Sequence, residues 1–179
     1  MKKILLVLSA VVLLASCKKE ITQLPPATQT GANTLGMMID GALWGPAAYG
    51  SVPTAPILEA RLGSDGSVFI NARNFASTPT ETELELHLQP VTGPGTILLN
   101  RNTAKYPAHT GSYAYFIKRK LMPLGEWITT SQYTGSVEVT KFNLSERIIS
   151  GTFSFRAVST DNSAAPLEVT EGRFDVKFQ

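Results

Sequence analysis

Cys17 is the only cysteine in the chain, and it closes the run Leu14-Ala15-Ser16-Cys17. Lys2 and Lys3 precede an apolar stretch, Ile4 to Ala15, interrupted only by Ser9. This is the pattern of a secretory signal peptide ending in a bacterial lipobox. The expected chemistry is acylation of the Cys17 thiol, then cleavage that leaves it as the new N-terminus. The apolar run is about a dozen residues, short of the roughly 20 that a spanning helix needs, so it reads as a cleaved leader. A lipoprotein carries two or three acyl chains, and two or more hold a protein stably on a membrane.

The remaining chemistry-bearing residues are sparse. Nucleophilic catalysis needs a base beside a Ser, Thr or Cys, and the chain has two histidines. His87 falls on the polar side of an alternating segment, and His109 sits in Tyr106-Pro107-Ala108-His109-Thr110-Gly111; both read as ordinary surface residues. No Gly-x-Ser-x-Gly elbow surrounds a serine. Glu83, Glu85 and His87 share a face at period 2, but alternate strand residues lie about 7 Å apart, too far for all three to reach one ion without bending. A solvated sheet face is expected there, with no metal and no cofactor. Asp161-Asn162-Ser163 lacks the glycine and terminal glutamate of a calcium loop. The expectation is therefore no enzyme, with unpatterned carboxylates leaving a polymer-degrading hydrolase as the alternative.

Aromatic side chains offer one further possibility. Trp44, Tyr49, Tyr106, Trp127 and Tyr133 fall near expected turns or strand ends, where exposed rings stack on sugars. Trp44, Trp127 and Tyr106 are the candidate ligand-binding residues, and the competing reading is that they plug the end of the fold.

Charge limits the partners. Without Lys2 and Lys3 the 16 basic residues fall to 14, equal to the 14 acidic ones, all of which lie beyond Cys17. A neutral mature chain makes no electrostatic case for nucleic acid. Lys118-Arg119-Lys120 reads as a solvated strand end, the alternative being a specific anionic partner. Lys18, where an aspartate would signal inner-membrane retention, points to the outer membrane. Lys19-Glu20 matches half of a Lys-acidic-acidic surface-export signal and Ile21 breaks it, so periplasmic and surface faces both stay open.

Three regions organise the chain: residues 1–16 as signal peptide, 17–35 as lipidated cysteine and flexible tether, and 36–179 as a single domain. Pro25-Pro26 and the small polar residues after them are aperiodic, and eighteen tether residues span at most about 60 Å. With no cysteine left for disulfides, the domain must rely on its core; at this size it buries roughly 68–70% of its unfolded surface.

From Met37 onward the pattern is β. Asp40-Gly41 between apolar triplets predicts a tight hairpin, and Gly63 to Ser67 a second one. Leu84, Leu86 and Leu88 alternate with Glu83, Glu85 and His87. Further strands are expected at 95–99, 112–118, 136–142, 147–158 and 167–178. Ile149, Gly151, Phe153, Phe155 and Ala157 should share one face. Phe174, Val176 and Phe178 should point inward and Arg173, Asp175 and Lys177 outward, with a phase flip at Glu171-Gly172 because Leu167 and Val169 have the opposite parity. The expected fold is all-β, an antiparallel β-sandwich or open β-barrel of about nine strands.

Three blocks carry a resemblance: Leu24 to Thr34 with Asp40-Gly41-Ala42-Leu43-Trp44; Thr140-Lys141-Phe142 with Arg147 to Phe155; and Thr170 to Phe178. Together they resemble a Bacteroidetes-type family of small outer-membrane lipoproteins that carry a domain of unknown function. The resemblance implies an all-β envelope lipoprotein and supplies no activity or functional residues. The reading that combines these observations is a membrane-anchored, non-catalytic binding or interaction module whose ligand is a glycan, a lipid or an envelope protein. A purely structural envelope component is a further alternative.

Overall fold

The computed structural model describes residues 20–49 and 56–179. The signal peptide, Cys17, Lys18 and Lys19 lie outside the described residues. Eleven strands follow one another: β1 (Thr34–Ile39), β2 (Ala42–Trp44), β3 (Leu58–Leu62), β4 (Val68–Asn74), β5 (Glu81–Leu88), β6 (Gly95–Leu99), β7 (Tyr113–Arg119), β8 (Pro123–Ile128), β9 (Gly135–Asn143), β10 (Ile148–Ser159) and β11 (Leu167–Lys177). The fold is all-β, one antiparallel sheet curled into a half-barrel, in the order β2-β1-β11-β10-β8-β7-β5-β4-β3 with β9 and β6 branching from β10.

Curling follows from the length of β10. Its first part, Ile148 to Phe155, pairs with β9, while Val158 and Ser159 pair with Ile128 and Trp127 of β8. One strand thus belongs to two faces that fold toward each other, as strands do at the corners of packed sheets. At the far edge Gln179 donates its backbone N–H to the Ala60 carbonyl at 3.0 Å and accepts from Leu62 at 3.3 Å, so the end of the chain meets β3.

Local sequence explains most elements. Asp40 and Gly41 both hold positive φ, 48° and 79°, the geometry of the two-residue turn whose twist suits a hairpin. Leu84, Leu86 and Leu88 are fully buried in the concave core. Ile149, Phe153, Phe155 and Ala157 join them from β10, and Phe174, Val176 and Phe178 from the end of the chain. The phase flip falls where expected. Gly36 pairs with Arg173 but Met38 with Thr170, so Glu171 and Gly172 face only Met37; Glu171 takes a φ of 53°. Leu167 and Val169 are accordingly buried on the same side as Phe174.

The strand count rises from about nine to eleven. Pro123-Leu124-Gly125-Glu126-Trp127-Ile128 forms a strand that alternation does not reveal, since Leu124 is exposed while Gly125 is buried. The segment expected as a flexible tether is laid on the domain. Pro25 sits against Gly36, where a Cβ would come within 2.5 Å of its ring, and Ile21 sits likewise against Gly45. Thr28 to Ala32 then converge on Asp175 of β11. Asp175, expected to face solvent, is therefore 1% exposed.

Candidate functional site

The sequence predicts a solvated face for Glu83, Glu85 and His87 of β5. Residues 100–112 cross over it instead. His87 is 3% exposed, stacked on Tyr113 with ring centroids 5.3 Å apart and facing His109 at 4.0 Å. Tyr106 lies over His109 in turn, at 5.8 Å. The strand register brings these rows together, since His87 pairs with Phe69 and Tyr113, and Glu85 with Asn71 and Tyr115.

Each carboxylate on this face has a committed partner. Tyr113 donates its hydroxyl to Glu85 in a short hydrogen bond, and Tyr113 accepts from the Tyr106 backbone at 2.7 Å. Lys105 reaches Glu126 and the Tyr115 hydroxyl, each at 2.8 Å, while Tyr115 donates to Glu126 at 2.5 Å. Glu83 receives Arg119 at 2.7 Å and the Asn71 amide at 2.5 Å. Among the described residues no group of three or more His, Cys, Asp or Glu is placed to hold a metal ion.

Burial shapes the protonation of this face. Burial pushes the Glu85 carboxyl up, and the Tyr113 hydroxyl offsets only part of that. The Tyr113 hydroxyl is raised by burial and then by Glu85; Tyr115 is raised by burial and then by Glu126. Glu126 is held low by its hydrogen bonds from Lys105 and Tyr115. Burial, followed by the neighbouring His109, holds His87 below the usual imidazole value of 6.5, against weaker opposing contributions from the Gly111 backbone and Asp65. The unfolded chain therefore takes up this proton at a higher pH than the folded one, and stability is lost as pH falls below about 6.5. Glu85 acts with the opposite sign: raised above 4.5 in the fold, it favours folding as pH falls toward that value. Comparing wild type with His87→Gln isolates the histidine. The stability difference between them should move against wild type as pH drops below about 6.5, read by urea unfolding at stepped pH. A difference that stays flat with pH would place the imidazole in solvent.

Beside this cluster, residues 110–112, β6 and residues 89–90 line an open groove of about 610 Å³, within the range of ligand sites. Arg101, Asn100, Gln89 and Thr110 supply polar groups, and Ile97 and Leu98 an apolar wall. Leu98 is 58% exposed. Gly111 lies beside the arginine, within van der Waals reach of Arg101 Cδ. Arg101 forms none of the ion pairs found among the described residues. Ser112 is less available: its hydroxyl donates to the Gln89 carbonyl and accepts from the Gln89 N–H.

The three candidate aromatics are not brought together as one platform. Trp44 is buried in the core, donates its indole N–H to Thr82 at 2.9 Å and meets Phe116 edge-on at 5.8 Å. Trp127 also packs on Phe116, at 6.2 Å, and donates to the Ala165 carbonyl at 2.9 Å. Tyr106 alone is well exposed. Arg101 and its groove carried no sequence signal beyond loop composition, because the groove joins residues from three separate segments.

Residues 50–176 match a family model described as a domain of unknown function, DUF6252. No curated protein matches, and no solved structure matches.

Proposed function

The chain belongs to the DUF6252 family, and we propose that this member is an envelope lipoprotein, acylated at Cys17 in the outer membrane, that binds an acidic glycan without transforming it. The observation that carries the binding reading is the groove at Arg101. A guanidinium presents a planar fork that matches a carboxylate, here beside amide and hydroxyl groups suited to sugar hydroxyls and an apolar wall suited to a sugar's C–H face. What favours binding over hydrolysis is the engagement of Glu83, Glu85 and Glu126 by cations and hydroxyls. The lipobox and the three resembling blocks support the Bacteroidetes-type lipoprotein setting.

A titration of uronic-acid-containing and neutral oligosaccharides, followed by calorimetry, tests this reading. An acidic oligosaccharide should bind, and Arg101→Ala should weaken it about 10- to 100-fold, the worth of a charge-assisted hydrogen bond. Melting temperature should stay unchanged in that variant, because Arg101 is exposed. Equal binding by wild type and Arg101→Ala would remove the groove from the account, and turnover of the ligand would promote the hydrolase reading.

A further inference from the structure

The β7–β8 hairpin ends in an apolar tip with no cover among the described residues. Leu121 is fully exposed, Met122 is 73% exposed and Leu124 is 54% exposed. Exposed large apolar side chains grouped at one loop tip, rather than scattered singly, point to an interaction site. Basic residues flank it. Arg119 is bound to Glu81 and Glu83, but Lys118 and Lys120 are exposed and take part in none of the ion pairs among the described residues.

The N-terminal segment begins at the same end of the molecule. Glu20 and Ile21 line one hollow with Trp44, Thr82 and Lys118. From there the chain runs along β1 to Asp175 before entering β1 itself. Most of the expected leash is thus fixed to the domain. Three peptide steps separate Cys17 from Glu20, at most about 11 Å, and Leu121 is three residues from Lys118. Because Glu20 shares that hollow with Lys118, an acyl group on Cys17 would bring the hairpin tip to the bilayer.

We propose that the β7–β8 hairpin is a second membrane contact, with Leu121 and Met122 entering the phospholipid interface while Lys118 and Lys120 meet anionic headgroups, so that the domain sits on the membrane in one orientation. Apolar side chains with adjacent lysines are the combination that an anionic leaflet holds. Glu20 is the one acid lining the shared hollow, which leaves the tip itself basic. The inference rests on the reading of Cys17 as the acylated anchor.

Because Cys17 is the only cysteine, and acylation blocks its thiol, Met122→Cys gives a unique site for an environment-sensitive fluorophore. Ser145→Cys, in the exposed β9–β10 turn, serves as the control. Full acylated chains are reconstituted in phosphatidylethanolamine–phosphatidylglycerol vesicles, with flotation reporting anchoring and a lipid-borne quencher reporting depth. The expected result is flotation of both proteins, with several-fold brightening and lipid quenching at 122 only. The signal at 122 should fall on Lys118→Gln with Lys120→Gln, or when phosphatidylcholine replaces phosphatidylglycerol. Flotation without quenching at 122, or equal quenching at 122 and 145, overturns the second contact and leaves the anchor standing. Shielding of the label in native outer-membrane fragments but not in protein-free vesicles also overturns it, since a protein would then be the occupant. Failure to float defeats the anchor reading, and this inference with it.

Discussion

Asp175→Ala is expected to destabilise the protein by about 3–5 kcal/mol, a large share of the roughly 5–15 kcal/mol that holds a domain together. Its carboxylate accepts from Thr28 Oγ1 at 2.6 Å, the Thr30 N–H at 3.0 Å, the Gly31 N–H at 2.8 Å, the Ala32 N–H at 3.1 Å and Ser150 Oγ at 2.7 Å. Hydrogen bonds to a charged group contribute about 1.5–3 kcal/mol each, and donors left buried without a partner add their own penalty. Burial alone would raise this carboxyl; the donors, led by Thr28 and Ser150, outweigh it and hold it far below the usual value of 3.8. A depressed acid contributes stability that is present above its unfolded value and lost as pH falls through its folded one. Wild type should therefore lose stability below about pH 3.8 by a component that Asp175→Ala lacks. Urea unfolding at neutral pH and an acid titration of both proteins measure the two effects. Limited proteolysis supplies a third readout, because release of Thr28 to Ala32 exposes that backbone to cleavage. A neutral-pH cost below about 1 kcal/mol would mean that the clasp contributes little.

Phe174→Ala is expected to cost about 3–5 kcal/mol, the range for emptying an aromatic site in a core. The ring is 3% exposed and packs on Phe153 at 6.2 Å. It lies over Gly151, its partner across the β10–β11 ladder, and a Cβ added there would come within 2.9 Å of the Phe174 ring. Glycine at 151 is thus a packing requirement, and the same Cβ would also strike the Glu138 carbonyl at 2.3 Å. Gly151→Ala should accordingly cost about 1–3 kcal/mol by overpacking. Leu121→Ala, at a fully exposed position, should change stability by less than about 0.5 kcal/mol. Midpoints from urea unfolding rank the three variants. Equal midpoints for Phe174→Ala and Leu121→Ala would refute the placement of Phe174 in the core.

Much of the fold was legible because the β pleat imposes period 2. The alternation in Glu81–Leu88 assigned Leu84, Leu86 and Leu88 to the core, and the parity change before Phe174 located the bulge at Glu171. Asp40-Gly41 announced its own turn, as few residue pairs adopt two successive positive φ values. β8 escaped notice because Pro123, Gly125 and an exposed Leu124 break alternation; its pairing with β7 and β10 supplies what its own sequence lacks.

The outer faces depart from the periodicity's expectation for a different reason. His87, Glu85 and Asp175 do point away from the concave core, as alternation requires. Residues 100–112 cover the first two, and Thr28 to Ala32 cover the third from 143–147 positions away in the chain. Sequence periodicity reports which way a side chain points, not what later lies over it. The groove at Arg101 was illegible on the same ground, since its polar groups come from segments that only the folded sheet makes neighbours.

By itself, the sequence determined the strand phases, the principal turns and the expectation of an acylated Cys17, all set by local sterics or by a contiguous motif. Tertiary structure decided that the outer face is covered, that the expected leash is clasped to Asp175, and that Glu20 begins beside the β7–β8 hairpin. Those outcomes depend on contacts between segments remote in the chain, whose free energy no local pattern records.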